Sequence, residues 1–382
     1  MDHTFVLRLN VVLGKLGLFF LIPPMLSGQR SNTDIAIQRG LAYIYQVASD
    51  PKSFAGYGHD LLWCFYTISS TAKDPELRKI ARIMGHERAL EWRRIHPRVP
   101  SDSSADEISN LVFGSDAADR LGVVDPRMKE RLRRAAAQYS AVDFLDFDPT
   151  REPPPSDLPM RCRKCARENK RGATVCAKCG GPLIPRDRYD VWSDALINTY
   201  TGDIYGIKLG AHYPDVLRWI SAMRPYPARE TLTLWGFYNV AYAVTHVVYT
   251  LNGYGHYRLS PKWLPQEYKY LRENMREAVK EEDPETLGEF LDTLRAFGLT
   301  ESSPLIRQGV AYVLSKQNED GSWGEIDDAD VYNRYHSTWT AIDGLREYAW
   351  RGRRLSFPVA RTLSYRHGLR AQPSNPSSAQ AR

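Results

Sequence analysis

Residues 306–323 read IRQGVAYVLSKQNEDGSW, and their first eight positions align without a gap on residues 37–44, IQRGLAYI. Gly309 and Gly40 coincide, as do Tyr312 and Tyr43. A unit that recurs in this way is one that cannot bury its apolar face alone and must stack on copies of itself. Here the similar units lie near the two ends of the chain, which predicts a ring that closes on itself.

Between the two copies, helix-start signals recur. Asp74-Pro75, Asp125-Pro126, Asp283-Pro284 and Ser303-Pro304 each set a capping residue before a proline. The cap accepts an orphan N–H, and proline lacks the N–H that would go unpaired. Between these marks the apolar spacing predicts six helical hairpins. They are 34–48 with 57–71, 74–95 with 104–121, 126–141 with 187–205, 212–224 with 231–251, 265–280 with 285–298, and 303–317 with 334–350. The expected fold class is all-α, an α/α toroid of about six hairpins with a small inserted zinc ribbon of four cysteines. The corresponding segments are an apolar N-terminus (1–30), a first toroid segment (31–147), a Pro-rich linker (148–160), the ribbon (161–185), a second toroid segment (186–355) and a tail (371–382) expected to be disordered.

The ribbon carries the most specific motif. Cys162-Arg-Lys-Cys165 and Cys176-Ala-Lys-Cys179 are two C-x-x-C knuckles ten residues apart. Each knuckle turns backbone N–H groups toward its sulfurs, and two of them complete a tetrahedral zinc site. Four thiolates leave no open position, so this zinc is expected to be structural. The stretch MRCRKCARENKRGATVCAKCGGPL resembles small zinc-ribbon modules, including Glu168-Asn169 and Gly180-Gly181. Residues 161–182 hold seven Lys/Arg against one Glu, which is the whole of the chain's net charge of +6. The rest is neutral, and the ribbon has no aromatic on which a base would stack, which argues against nucleic acid. A protein partner at the ribbon, or bracing of adjoining helices, is the expectation. Cysteines kept for zinc suit a reducing compartment, so the cytoplasm is expected.

Residues 308–323 also resemble the QW repeat of the terpene cyclases and protein prenyltransferases, in Gly309, Tyr312, Leu314, Gln317, Gly321 and Trp323. Residues 335–345 (YHSTWTAIDGL) are similar to the inner helix that follows such a repeat. The resemblance implies a toroid whose inner helices surround a central cavity. The catalytic motifs of those families do not carry over. The nearest D-x-D-D match, Asp327-Asp328-Ala329-Asp330, reads as a loop, and no Asp-x-Cys pair precedes His336.

The nine histidines are few enough to weigh singly. His59 and Asp60 are expected to open the first inner helix and His336 the last. Ring closure would then join His59, Asp60 and His336 at one mouth, as a mixed ligand set for a second, catalytic metal ion (Zn, Fe or Mn). His246 sits on an apolar inner helix, and His212 and His256 at helix-end turns. Trp63, Cys64, Trp235, Tyr238 and Tyr242 are expected to line the cavity. The function that follows is an enzyme acting on an apolar small molecule or lipid in that cavity. The alternative is a non-catalytic helical scaffold whose ribbon binds a protein. Cleavage of polysaccharide by paired carboxylates, with Asp60, Asp194 and Asp203 as candidates, ranks third. Residues 4–26 are apolar but broken by Arg8, Lys15 and Pro23-Pro24. They read as a packed helix, a peripheral membrane contact, or a signal or anchor.

Overall fold

The computed structural model describes residues 31–156, 160–162, 165, 167–170, 173–181, 183, 186–328 and 330–357. The expectations for residues 4–26 and 371–382 lie outside these. Most of the described residues are helical, and almost none are in strands. Helix α1 (Asn32–Ser49) pairs with α2 (Pro51–Thr71), and α3 (Pro75–Ile95) with α4 (Ala105–Arg120). Helix α5 (Pro126–Ala136) and the short α6 (Ala141–Leu145) precede α7 (Arg188–Tyr205). The short α8 (Tyr213–Leu217) and α9 (Ile220–Met223) precede α10 (Leu234–Asn252). Then α11 (Pro265–Lys280) pairs with α12 (Pro284–Ala296), and α13 (Pro304–Ser315) with α14 (Val331–Leu345).

The ring closes. Helices α2, α4, α7, α10, α12 and α14 touch one another in that order, and α14 returns to α2. The first helix of each hairpin packs outside them, with α1 lodged on both α14 and α2. The clasp lies within the repeated unit at residues 306–323. Gln317 Nε2 donates to the Ala36 carbonyl at 2.8 Å and to that of Gly321 at 2.9 Å, tying the last hairpin to the first. The Trp323 indole is fully buried and donates to the Val313 carbonyl at 2.7 Å. Gly40 makes room for it, since a Cβ there would stand 2.8 Å from the Trp323 ring. Its repeat partner Gly309 admits the Met275 methyl in the same way, at 2.4 Å. The repeated glycine therefore marks where an outer helix is approached most closely.

Asp74, Asp125 and Asp283 cap their helices as expected, accepting from Glu76 N (2.9 Å), Met128 N (2.9 Å) and Glu285 N (3.0 Å). Three details differ. Ser303 makes no side-chain cap bond. Helix α2 begins at Pro51, capped by Asp50, so His59 and Asp60 lie mid-helix and do not open it. The expected helix 212–224 is two short pieces. The Pro-rich segment is partly anchored, because the Pro149 carbonyl accepts from Arg218 Nη2 at 2.5 Å and from Trp219 Nε1 at 2.8 Å. Strands β1 (Met160–Arg161) and β2 (Glu168–Asn169) pair antiparallel beside the cysteines. The ribbon's small core of Cys162, Cys176 and Leu183 is separate from that of the toroid. Among the described residues, no helix is long and apolar enough to cross a membrane.

Candidate functional site

Two centres emerge. In the ribbon, Cys162, Cys165, Cys176 and Cys179 bring their sulfurs within 4.8 Å of one another, close enough to hold a metal ion. Cys162 and Cys179 are 3.5 Å apart, and Cys165 and Cys176 3.6 Å. A tetrahedron with Zn–S of ~2.3 Å has edges of roughly 3.8 Å, so the spacing is compatible with zinc. Outer partners orient the sulfurs, as metal sites require. The Lys178 amide lies 3.4 Å from Cys176 Sγ, and Asn169 Nδ2 3.6 Å from it. Asn169 Oδ1 in turn accepts from the Ala177 amide at 2.9 Å. Gly180, at φ +69°, takes the left-handed turn that ends the second knuckle.

The second centre is a cavity of about 50 Å³ inside the ring. It is lined by Thr67 of α2, His246 and Tyr249 of α10, Tyr254, Glu289 and Asp292 of α12, and His336, Trp339, Thr340 and Asp343 of α14. At the ~10–15 Å³ that one water requires, it holds roughly four. Its polar wall is built by two helices. Glu285, Glu289 and Asp292 stand at i, i+4 and i+7 on α12, and His336, Thr340 and Asp343 at the same spacing on α14, so each set shares one helix face. Gly288 lets the two helices meet, since a Cβ there would come 2.5 Å from the Thr340 backbone.

The upper layer is an ion pair. His336 Nδ1 lies 3.1 Å from Glu285 Oε1. The Tyr242 hydroxyl donates to Glu285, and Ser337 Oγ to Glu285 Oε2 at 3.2 Å. Burial opposes the charge on His336, but Glu285, with Asp60 and Glu289 behind it, keeps the proton on up to about 9. Burial would likewise lift Glu285, yet His336, Tyr242 and Ser337 outweigh it and hold the carboxyl below its ordinary value.

The lower layer is different. Burial pushes Glu289 up to about 8, although Thr245 donates to it at 2.7 Å. Asp292 and Asp343 are raised by burial first and, for Asp292, next by the charge of Asp343. Arg346 Nε reaches Asp343 at 2.6 Å. Asp292 Oδ1 is buried with no hydrogen-bond partner. His246 Nδ1 donates to the Tyr242 carbonyl (2.7 Å), and burial lowers the imidazole to about 4, so it is neutral near pH 7.

Of the histidines named from sequence, His246 and His336 line the cavity. His59, Asp60 and His336 do not form a ligand set, which corrects that expectation. Among the described residues, the four cysteines are the only group of three or more potential ligands within 4.8 Å. Asp60 accepts instead from the Tyr335 hydroxyl at 2.9 Å, and His59 bears on His96. His212 is a surface residue paired with Asp203 at 2.8 Å, and His256 is held by the Gly253 carbonyl at 2.6 Å. Asp194 is exposed and paired with Arg186 at 2.7 Å.

Trp63 packs behind the cavity wall, 5.5 Å from the Tyr254 ring, and Cys64 is wholly buried. Tyr242 reaches the site through Glu285, whereas Trp235 is half-exposed and stacks edge-on to Tyr238 at 6.0 Å. Asp330 caps α14 and accepts from Tyr57 at 3.2 Å, and the neighbouring Asp328 accepts from Asn333, so the aspartate run shapes a loop. The acids that line the cavity, Glu289, Asp292 and Asp343, and Glu285 beside His336, are not among the residues the sequence reading singles out. Their signal is there: ETLGEFLD, residues 285–292, sets carboxylates on one face of an otherwise apolar helix.

No protein-family model, no curated protein and no solved structure matches the chain. The functional reading therefore rests on the site itself.

Proposed function

We propose that the chain is an enzyme that moves a proton to or from a small, largely apolar molecule held in the axial cavity. One observation carries this reading: groups of opposed protonation share the cavity. Glu289 is an acid that keeps its proton near neutral pH, and His246 is an imidazole that stays neutral there. Titratable neighbours whose environments push them apart are what acid–base catalysis requires. In the step, a proton leaves the Glu289 carboxyl for the substrate, and His246 accepts one from it. The imidazolium–carboxylate pair of His336 and Glu285 fixes charge at the upper layer. The rings of Tyr249, Tyr254 and Trp339 supply the apolar wall. The enclosed volume suits the reacting end of a molecule, not a whole lipid.

The ribbon has a separate role in this reading. Its four cysteines hold zinc as thiolates, and the closed four-sulfur shell braces the insertion and takes no part in the reaction. The Gln317–Trp323 clasp supports the resemblance to QW-repeat toroids at the level of architecture.

The test is NMR that follows both the ligand and the histidine ring signals, against a library of small neutral, cationic and anionic molecules, with wild type and Glu289→Gln. Binders that protect the His246 and His336 ring signals, and whose slow turnover disappears in Glu289→Gln, support the enzyme. Binders confined to the ribbon, with the ring signals unmoved, would instead support the scaffold.

A further inference from the structure

The floor of the cavity carries a charge arrangement that general acid–base chemistry does not need. Asp343 has its cation, Arg346, whose guanidinium also lies 3.9 Å over the Tyr348 ring. Asp292, one helical turn below Glu289, has no ion pair among the described residues. It is 4% exposed; the Tyr348 hydroxyl bears on its carboxyl and Arg346 and Arg295 face it, but its Oδ1 has no hydrogen-bond partner. A buried carboxyl oxygen left unpartnered destabilises the fold until something donates to it.

Around this oxygen the wall is aromatic. Tyr249 and Tyr254 stack at 5.8 Å and 21°, and Trp339 completes the surface from α14. Tyr254 is held there at φ +51°, directly after Gly253 at φ +67°. A non-glycine residue in the left-handed region is uncommon, and the surrounding structure must hold it in place. Ring faces attract cations as well as carbon, and more strongly where water is excluded. A metal ion is a poor fit, because the cavity's carboxyl and imidazole atoms do not gather within the reach of one ion. An organic cation spans them.

We propose that the cavity floor recognises a protonated primary amine, its ammonium group donating to Asp292 Oδ1 and its carbon part lying on Tyr249, Tyr254 and Trp339. This rests on the proposed function and deepens it: the molecule worked on beneath Glu289 bears an amine. Arg346 and Arg295 both face Asp292, and each has its own carboxylate, Asp343 at 2.6 Å and Glu301 at 3.4 Å, so neither leaves an unmatched charge against the ligand.

Isothermal titration calorimetry near neutral pH decides it, with n-propylammonium chloride and the neutral isostere 1-propanol as probes. Wild type binds the amine saturably and roughly tenfold or more tighter than the alcohol. Asp292→Asn, which keeps the shape and removes the charge, loses that preference while its circular dichroism and melting stay those of wild type. Equal affinity for amine and alcohol would overturn the cation seat and leave the small-molecule site standing. An amine preference that persists in Asp292→Asn would overturn Asp292 as its partner. No saturable binding of either probe up to tens of millimolar would overturn both the seat and the reading it rests on. The wild-type comparison of the two probes stands even if the variant does not fold.

Discussion

The ring has two acidic stretches on its inner helices, and they are treated in opposite ways. On α4, Asp116 takes two bonds from Arg120 Nε at 2.8 and 2.9 Å, and Asp119 pairs with Arg93 at 2.5 Å while accepting from Tyr205 at 3.1 Å. On α12, Glu289 has only a threonine hydroxyl, and Asp292 keeps an oxygen with no hydrogen-bond partner. Buried carboxylates with cations hold a structure in register, and breaking such a pair is expensive because a charge is left stranded. Buried carboxyls without cations do the reverse. Burial lifts them above the ordinary carboxyl range, so they cost the folded state as they ionise and are worth keeping where the protein does something with them.

The sharpest way to break this contrast is to neutralise one acid on each side. Asp119→Asn takes the carboxylate from the part-buried Arg93, leaving it Ser115 and the Val123 carbonyl, and unfolding free energy should fall by roughly 3 kcal/mol in urea titrations. Asp292→Asn strands no cation and should stay within about 1 kcal/mol of wild type. Equal losses would erase the difference between the two stretches.

Next in size is the response to pH. His336 and Glu289 both carry folded-state values raised above their ordinary ones, to about 9 and about 8. A raised group lends stability that is complete below its unfolded value and is lost as pH climbs through the folded one. Each of the two should therefore cost the toroid on the order of 2–3 kcal/mol between pH 6 and pH 9. His246 is lowered to about 4, so its contribution has the other sign and is lost as pH falls from about 6.5 toward 4. Glu289→Gln should flatten the alkaline limb measured by denaturant titration across pH. An unchanged limb would mean that Glu289 is ordinary.

Much of the ring is legible in the sequence because its causes are local. Each Asp-Pro start acts within one turn, and the matched ends at Gly40 and Gly309 announce closure without knowledge of the middle. The cysteine knuckles are local in the same sense. The cavity is not legible, because its residues matter through partners on other helices. Pairing His336 with His59 assumes that both open their helices, yet α2 starts earlier, at Asp50-Pro51, and Glu285 of α12 takes the place beside His336. Gly288 decides that pairing by letting α12 and α14 touch, and one sequence does not show which helix face a glycine opens.

A smaller effect follows from the same contact. Gly288→Ala sets a methyl against the Thr340 backbone and should cost about 2 kcal/mol by overpacking. It should also uncouple His336 from Glu285, seen by NMR as a fall of the His336 titration toward its ordinary value. Smallest of all is the effect of the ribbon on the toroid. Because their cores are separate, Cys176→Ser should abolish the bound metal measured by mass spectrometry while shifting toroid stability by less than about 1 kcal/mol.

The proposed chemistry stands or falls on an acid in the axial cavity that holds its proton at neutral pH. Carboxyl carbon NMR of glutamate-labelled protein, followed from pH 4 to pH 9 and assigned by its absence in Glu289→Gln, tests this directly. One glutamate resonance should titrate at about 8 while the exposed ones move at their ordinary ~4.3. If the Glu289 resonance completes its titration below pH 5 with the rest, the cavity holds an ordinary carboxylate and the proposed chemistry fails.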